Sequence, residues 1–209
     1  MPNKQYQTSL FNNKTSERIN LPDADIYYWS EFFDQSRGLQ WFDNLVGRTN
    51  WRQETITIYG KQHRVPRLSC WMADAGLDYS YSNMTMQPEL WSEQVLAIKS
   101  ELEQKLKLSF NSVLINYYRD GQDSNGWHAD DEIELGVNPI IASMSLGGSR
   151  DFHLKHKIDK QLKYSIALEH GSLLLMQGKT QACWQHQIPK RVNAEPRINL
   201  TFRTIYKNS

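Results

Sequence analysis

The chain has 209 residues, with 24 Lys and Arg against 23 Asp and Glu, a formal net charge of +1 and 39% hydrophobic residues. That length suits one domain with a substantial core, or one domain plus an N-terminal extension, and the near-neutral balance excludes a globally basic nucleic-acid binder, so any such surface has to be local. No apolar run reaches the roughly 20 residues of a membrane helix, the polar N-terminus lacks a secretion-signal core, and Cys70 and Cys183 form no Cys-x-x-Cys pair; this argues against a disulfide scaffold or zinc ribbon and for a cytoplasmic setting, nuclear in a eukaryote.

Residues 1–20 are polar, and residues 1–50 are read as an extension packed on a core domain at 51–209. Leu21 to Val46 reads as short helices, with Asp23 or Ser30 as candidate N-caps and aromatic residues at Trp29, Phe32, Phe33, Trp41 and Phe42. Thr55-Ile56-Thr57-Ile58-Tyr59 alternates like a strand, and Gly60-Lys61 opens a turn before Val65-Pro66-Arg67, the pattern of a hairpin or lid. Between Pro88 and Leu106, Leu90, Val95, Ile98, Leu102 and Leu106 keep near-helical spacing. Strands follow over Ser112 to Tyr118, Ile140 to Leu146, Asp151 to Lys155, Tyr164 to Leu168, Ser172 to Met176 and Arg197 to Ile205, with 120–125 as a polar loop. Many short strands with turn signals such as Gly147-Gly148 fit an antiparallel jelly roll. The fold class expected is α+β, with N-terminal helices beside that β core.

Two imidazoles and one carboxylate, His128, Asp130 and His186, make up the ligand set that holds non-haem Fe(II) on one face and leaves other positions open. On a strand, His128 and Asp130 project from the same side, and His186 is expected from another strand folded opposite. A lone His-x-Asp is as easily a surface pair. The run Arg197-Ile198-Asn199-Leu200-Thr201-Phe202-Arg203 alternates polar and apolar residues, which places two guanidiniums on one strand face. Buried, they need anionic partners, and a dicarboxylate chelating the iron supplies one; turned outward, they need only local acids.

His-x-Asp, a distant His and Arg-x5-Arg, with runs such as Asp74-Ala75-Gly76-Leu77, Leu114-Ile115-Asn116-Tyr117-Tyr118, Trp127-His128-Ala129-Asp130-Asp131-Glu132 and Pro196-Arg197-Ile198-Asn199-Leu200-Thr201-Phe202-Arg203, resemble the AlkB-type Fe(II)- and 2-oxoglutarate-dependent dioxygenases. The similarity extends from about Thr55 to Tyr206 and is closest to the second and third animal homologues and their bacterial relatives. It implies a double-stranded β-helix with the metal inside its mouth and a nucleotide-recognition lid over 55–87. It implies Fe(II) at His128, Asp130 and His186, and 2-oxoglutarate among Asn116, Tyr118, Arg197, Thr201 and Arg203, with O₂ as the second co-substrate. Asn116 and Tyr118 alone read equally as a buried polar pair. For the target base the resemblance points to Tyr79, Tyr81, Ser82 and Asp131, with Tyr59 at a finger that enters the duplex and Arg67 holding the backbone. Tyr79 and Tyr81 also read as one face of an ordinary strand, Asp131 as a surface acid, and Tyr59 as packing under the hairpin.

The activity implied is oxidative demethylation of 1-methyladenine and 3-methylcytosine in DNA, with succinate, CO₂ and formaldehyde as products. The base has to leave the stack, because its methyl carbon cannot approach a buried metal inside a duplex. RNA demethylation, another hydroxylation on the same core, and a silent nucleic-acid-binding module remain alternatives. Local basic clusters for phosphate contact are Lys61, His63, Arg64 and Arg67, then Lys155, His156, Lys157, Lys160 and Lys163, then Lys190 and Arg191; solvated loops explain the last two equally. The expected partner is alkylated DNA, or RNA, without a membrane, and family precedent implies a monomer.

Overall fold

The computed structural model describes residues 16–58, 60–77, 79–81, 84–86 and 88–206. In chain order these form β1 (Glu17–Ile19), β2 (Asp25–Trp29), α1 (Gln35–Arg48), β3 (Thr55–Ile58), β4 (Lys61–Arg64), β5 (Leu68–Ala73), β6 (Tyr79–Tyr81), β7 (Met84–Met86), α2 (Glu93–Leu106) and β8 (Ser112–Tyr118). There follow β9 (Asn125–His128), a 3₁₀ turn at Ile133–Leu135, β10 (Ile141–Gly147), β11 (Arg150–His156), β12 (Lys163–Leu168), β13 (Leu173–Gln177), the single turn α3 (Thr180–Cys183), β14 (Trp184–Ile188) and β15 (Arg197–Arg203).

Two antiparallel sheets face each other. The larger has seven strands in the order β1-β2-β13-β10-β15-β8-β5, and the smaller four in the order β12-β11-β14-β9. Ile26, Leu114, Leu174 and Met176 of the large sheet meet Phe152, Leu154, Trp184 and Ile188 of the small one. Helices α1 and α2 cover the other side of the large sheet, where Trp41, Leu45, Val95, Ile98 and Leu102 pack on Ile115, Met144, Ile198, Leu200 and Phe202. The arrangement is a double-stranded β-helix, or jelly roll. Both faces of its large sheet are covered, so β15 is buried at every residue. Its apolar side chains meet the helices and its polar ones turn into the space between the sheets.

Three local departures from the sequence reading have physical causes. The stretch expected as short helices begins with a strand: Asp25-Ile26-Tyr27-Tyr28-Trp29 alternates in burial and pairs with β13 from Leu173↔Trp29 to Gln177↔Asp25. Neither Asp23 nor Ser30 caps the following helix; Asp34 does, its Oδ1 accepting from the amides of Ser36 at 3.0 Å and Arg37 at 3.2 Å. Asp23 instead sits in a turn with φ of 52°. The second helix starts after Pro88, at a Ser92 cap whose hydroxyl accepts from the Val95 amide.

Residues before 51 thus supply two strands to the large sheet and a helix to its outer layer. Within 55–87, β3 with β4 and β6 with β7 form separate two-stranded hairpins, while β5 joins the large sheet beside β8. In α1, Gly38 lies against His170; a Cβ there would come within 2.6 Å of the imidazole Nε2, so only glycine lets the helix approach this closely.

Candidate metal centre

Strand β9 ends at His128, and Asp130 lies in the bend just beyond it. His186 of β14 is the cross-strand partner of His128, and the register slips between His186 and Ile188, an irregularity of the kind that re-aims side chains beside functional sites. The two ring centroids are 4.2 Å apart. His186 therefore comes from the adjacent strand of the same sheet and not from one folded opposite. Paired antiparallel neighbours bring their Cβ atoms within about 5 Å, which suits two ligands to one ion. One donor atom from each of His128, Asp130 and His186 lies within 4.8 Å of the others.

Hydrogen bonds set the form of each group. His128 Nδ1 donates to the Gly126 carbonyl at 2.7 Å, which leaves the Nε2 lone pair facing the cluster, where the Asn125 amide approaches at 3.2 Å. Phe152 stacks on the His186 ring at 5.1 Å. The Asp130 carboxylate is 1% exposed; Arg203 Nη2 donates to its Oδ1 at 2.7 Å, and Oδ2 lies 3.9 Å from His186 Nε2. Burial alone would raise the Asp130 pKa, but the Arg203 guanidinium and then the two histidines outweigh it and hold the carboxyl below its ordinary value. A second group, Asp23, His156 and Cys183, is equally compact. There His156 Nδ1 accepts the amides of Ile158 at 3.3 Å and Asp159 at 3.0 Å, so a neutral ring carries its proton on Nε2 and lacks the lone pair a metal requires.

Burial, then the neighbouring His128, pushes His186 from 6.5 down to about 3. The metal-free folded protein keeps this imidazole neutral, whereas the unfolded chain protonates it on descending through about 6.5. Its contribution to stability is therefore complete above that value and is lost as pH falls toward 3, at up to about 1.4 kcal/mol per unit. His128 shifts in the same direction, mainly through burial. Thermal unfolding of metal-free protein is expected to show a midpoint that drops steadily below pH 6.5 and a shallower drop in His186→Asn. An unchanged slope in that variant would place the acid sensitivity elsewhere.

Arg197 lies in the same cavity as the three candidate ligands and is 1% exposed. Its Nη2 donates to Ser145 Oγ at 2.9 Å and the Tyr118 side chain interacts with the guanidinium, while among the described residues Nε and Nη1 meet no hydrogen-bond acceptor. Burial lowers its pKa to about 10. A guanidinium so placed is costly unless an anion meets it, so the cavity is shaped for one carboxylate more than the protein supplies. The residues fit the groups expected here: two imidazoles and a carboxylate for a divalent cation, and an unmet fork of N–H donors for a carboxylate ligand.

Asn116, Tyr118, Thr201 and Arg203 line this cavity with Arg197. Asn116 Oδ1 accepts from Arg67 Nε at 2.8 Å, Thr201 donates to Asn199 Oδ1 at 2.9 Å, and the Tyr118 ring lies 5.2 Å from the Arg197 guanidinium carbon. Arg203 faces Asp130, so it bears directly on a candidate metal ligand. A second cavity of about 220 Å³ adjoins the first at Leu114, Asn116, Asn125 and His128, and is walled by Glu54, Ile56, Arg67 and Trp127. Water occupies roughly 30 Å³ in the liquid, so this recess takes a ligand of several heavy atoms. Arg67 is 6% exposed, a wall residue whose Nη1 also donates to the Ser124 carbonyl. Asp131 is on the surface, paired with Lys157 at 2.7 Å. Tyr79 and Tyr81 belong to β6, but their side chains, like all of Tyr59 and Ser82, lie outside the described residues.

Several contributors escape the sequence reading. Ser143 and Ser145 alternate with Ala142, Met144 and Leu146 along β10, so their shared face was readable, and they receive Asn199 and Arg197. Arg150, fully buried, fastens the 120–123 loop to the end of β14 by donating to the carbonyls of Asp120, Asp123 and Pro189. Gln181, whose Oε1 accepts the Asp130 amide at 2.9 Å, carries no local signal at all.

The sequence profile of the 2OG-Fe(II) oxygenase superfamily matches residues 25–203. The chain is 41% identical to alpha-ketoglutarate-dependent dioxygenase alkB homolog 3 of Bos taurus over 185 residues, which cover 84% of this chain and 64% of that protein. It is 40% identical to DNA oxidative demethylase ALKBH2 of Homo sapiens over 182 residues, 83% of this chain and 67% of that one. It thus spans a little under two thirds of the bovine protein's length. The solved structure of OsALKBH1 superposes with a TM-score of 0.62 at 17% identity, covering 86% of this chain and 97% of that one, and shares the fold. Among the described residues, no helix is long and apolar enough to cross a membrane.

Proposed function

The chain belongs to the 2OG-Fe(II) oxygenase superfamily and to its AlkB branch, and on that premise we propose that it is an Fe(II)- and 2-oxoglutarate-dependent dioxygenase that demethylates 1-methyladenine and 3-methylcytosine in DNA. The observation that carries the reading is one cavity holding His128, Asp130 and His186 within 4.8 Å beside the two unmet donors of Arg197. His128, Asp130 and His186 would hold Fe(II), which would supply O₂ activation coupled to conversion of 2-oxoglutarate to succinate and CO₂, with the methyl group leaving as formaldehyde. Arg197 would pair with a carboxylate of 2-oxoglutarate in the cavity that Tyr118, Asn116 and Thr201 also line. Arg203 keeps Asp130 ionised and fixed in direction. The adjoining recess bounded by Arg67, Trp127 and His128 receives an extruded base, whose ring requires an opening beside the metal. Contact with the target base is proposed for Asp131, Tyr79, Tyr81 and Ser82, and filling of the gap in the stack for Tyr59, on the family resemblance alone. Substrate identity rests on the named relatives, since fold alone does not select a substrate.

Formaldehyde and succinate are to be measured together on single-stranded DNA carrying 1-methyladenine, with an RNA oligonucleotide of the same sequence in parallel at fixed salt. Stoichiometric formaldehyde from DNA that requires both Fe(II) and 2-oxoglutarate is the expected result. Release from RNA alone would move the assignment to an RNA demethylase, and succinate without formaldehyde from either would point to a different hydroxylation.

A further inference from the structure

Asp130 poses a geometric problem for any ion it ligates. It stands past the last residue of β9, so its backbone has lost the ladder that fixes His128, yet it is 1% exposed and its amide has no water to turn to. The amide donates instead to Gln181 Oε1 at 2.9 Å. Gln181 is equally buried, at 1% exposed, and its Nε2 points to the Met176 sulfur at 3.5 Å. The orientation of its side-chain amide follows from these neighbours: a backbone N–H requires the oxygen, and the thioether accepts only the nitrogen.

The turn that carries Gln181 is itself fastened. Thr180 Oγ1 accepts the Asp25 amide at 2.9 Å and donates to the Gln177 carbonyl at 2.6 Å, which ties α3 to the large sheet. Lys157 Nζ donates to the Gln181 carbonyl at 2.8 Å, and the Lys157 amide donates to the Cys183 carbonyl at 2.7 Å, which ties α3 to the small one. The chain then runs directly from α3 into β14 and reaches His186. One short turn therefore sets the backbone of one candidate ligand through a side chain and that of another through continuity.

We propose that Gln181 is a positioning residue for the metal centre, which through the Asp130 amide fixes where that carboxylate points. The inference rests on the reading of His128, Asp130 and His186 as metal ligands, and it adds a buried residue of a different element to the support of the site. Arg203 restrains the side chain of Asp130 and Gln181 its backbone. Without the second restraint the carboxylate can rotate about its own main chain while keeping its ion pair.

Gln181→Met keeps the length and most of the volume but removes the strong acceptor. Two measurements on the 209-residue chain decide the matter: Mn²⁺ affinity by electron paramagnetic resonance, and hydrogen exchange of the Asp130 amide by NMR without metal. The variant is expected to bind Mn²⁺ about 10–100-fold more weakly, the usual consequence of removing an outer support of a metal ligand, and to exchange the Asp130 amide faster. Gln181→Glu, which retains an oxygen at the same reach, is expected to recover the amide protection. If Gln181→Met does not fold, Gln181→Asn carries both measurements, since its carbonyl is one methylene short of Asp130. Wild-type Mn²⁺ affinity in a folded Met or Asn variant overturns the proposal, as does an Asp130 amide as protected as before. Failure of the wild-type protein to bind Mn²⁺ would bring down the metal-site reading instead, and the exchange measurement would still decide whether Gln181 holds Asp130.

Discussion

Asp130→Ala is expected to abolish metal-dependent turnover and to lower the stability of the metal-free protein by about 3 kcal/mol. The first effect follows from the proposed ligand set: it contains a single carboxylate, and its loss is expected to exceed the roughly 10–100-fold cost of disturbing an outer support. The second follows from Arg203, whose Nη2 donates to that carboxylate at 2.7 Å with both side chains nearly inaccessible. Taking away one member of a buried ion pair leaves the other charge in a medium that solvates it poorly. Arg203→Met in the same chain is therefore expected to return much of the lost stability without returning turnover, a coupling that a double-mutant cycle measures directly. Succinate release, Mn²⁺ binding and denaturant unfolding of the single and double variants are the required data. Turnover by Asp130→Ala at unchanged iron would remove this residue from the metal site, and additive stability losses would show that the pair is not coupled.

Arg197→Met should move function and stability in opposite directions. The guanidinium is buried, its pKa is lowered to about 10 by desolvation, and two of its nitrogens meet no acceptor among the described residues. Removing it from the unliganded protein relieves an unmet charge, so the unfolding midpoint is expected to stay level or rise. The same change would remove the charge-assisted contact proposed with the co-substrate, worth about 2–5 kcal/mol, so the 2-oxoglutarate KM should increase roughly 30-fold or more while the KM for oligonucleotide changes little. Measured together, the two parameters separate a binding role from a structural one. A large fall in stability with unchanged co-substrate KM would make Arg197 a packing residue.

How far the sequence could be read depended on how each segment is covered. In β15 the alternation of Ile198, Leu200 and Phe202 with Arg197, Asn199, Thr201 and Arg203 was legible because the two faces meet different surroundings. In β5, Ser69 to Ala73 are buried without a break, so Leu68-Ser69-Cys70-Trp71-Met72-Ala73 offers no period and its place in the large sheet was not visible. A strand carrying both His128 and Asp130 was expected, but β9 ends at His128, because its pairing with β14 stops there and Asp130 falls in the bend beyond. The residue types of the candidate metal cluster were plain from His128, Asp130 and His186, which the structure brings together. Their supports were not, since Arg150, Gln181 and Lys157 act through carbonyls and amides that any residue provides. Such contacts depend on the path of the chain and not on a local pattern.

Strand β15 lies between β10 and β8, with paired residues running from Gly147↔Arg197 to Ala142↔Phe202 on one side and from Arg197↔Tyr118 to Arg203↔Ser112 on the other. A slip of one residue in either ladder would exchange its two faces. The guanidiniums would enter the helix layer, and isoleucine, leucine and phenylalanine would fill the space between the sheets. Such an error would remove the two guanidiniums from the cavity and the apolar packing from the helix layer together. Errors of assembly at this strand therefore cannot accumulate as intact but sluggish molecules, and quality control in the cell that detects instability would also clear the inactive species.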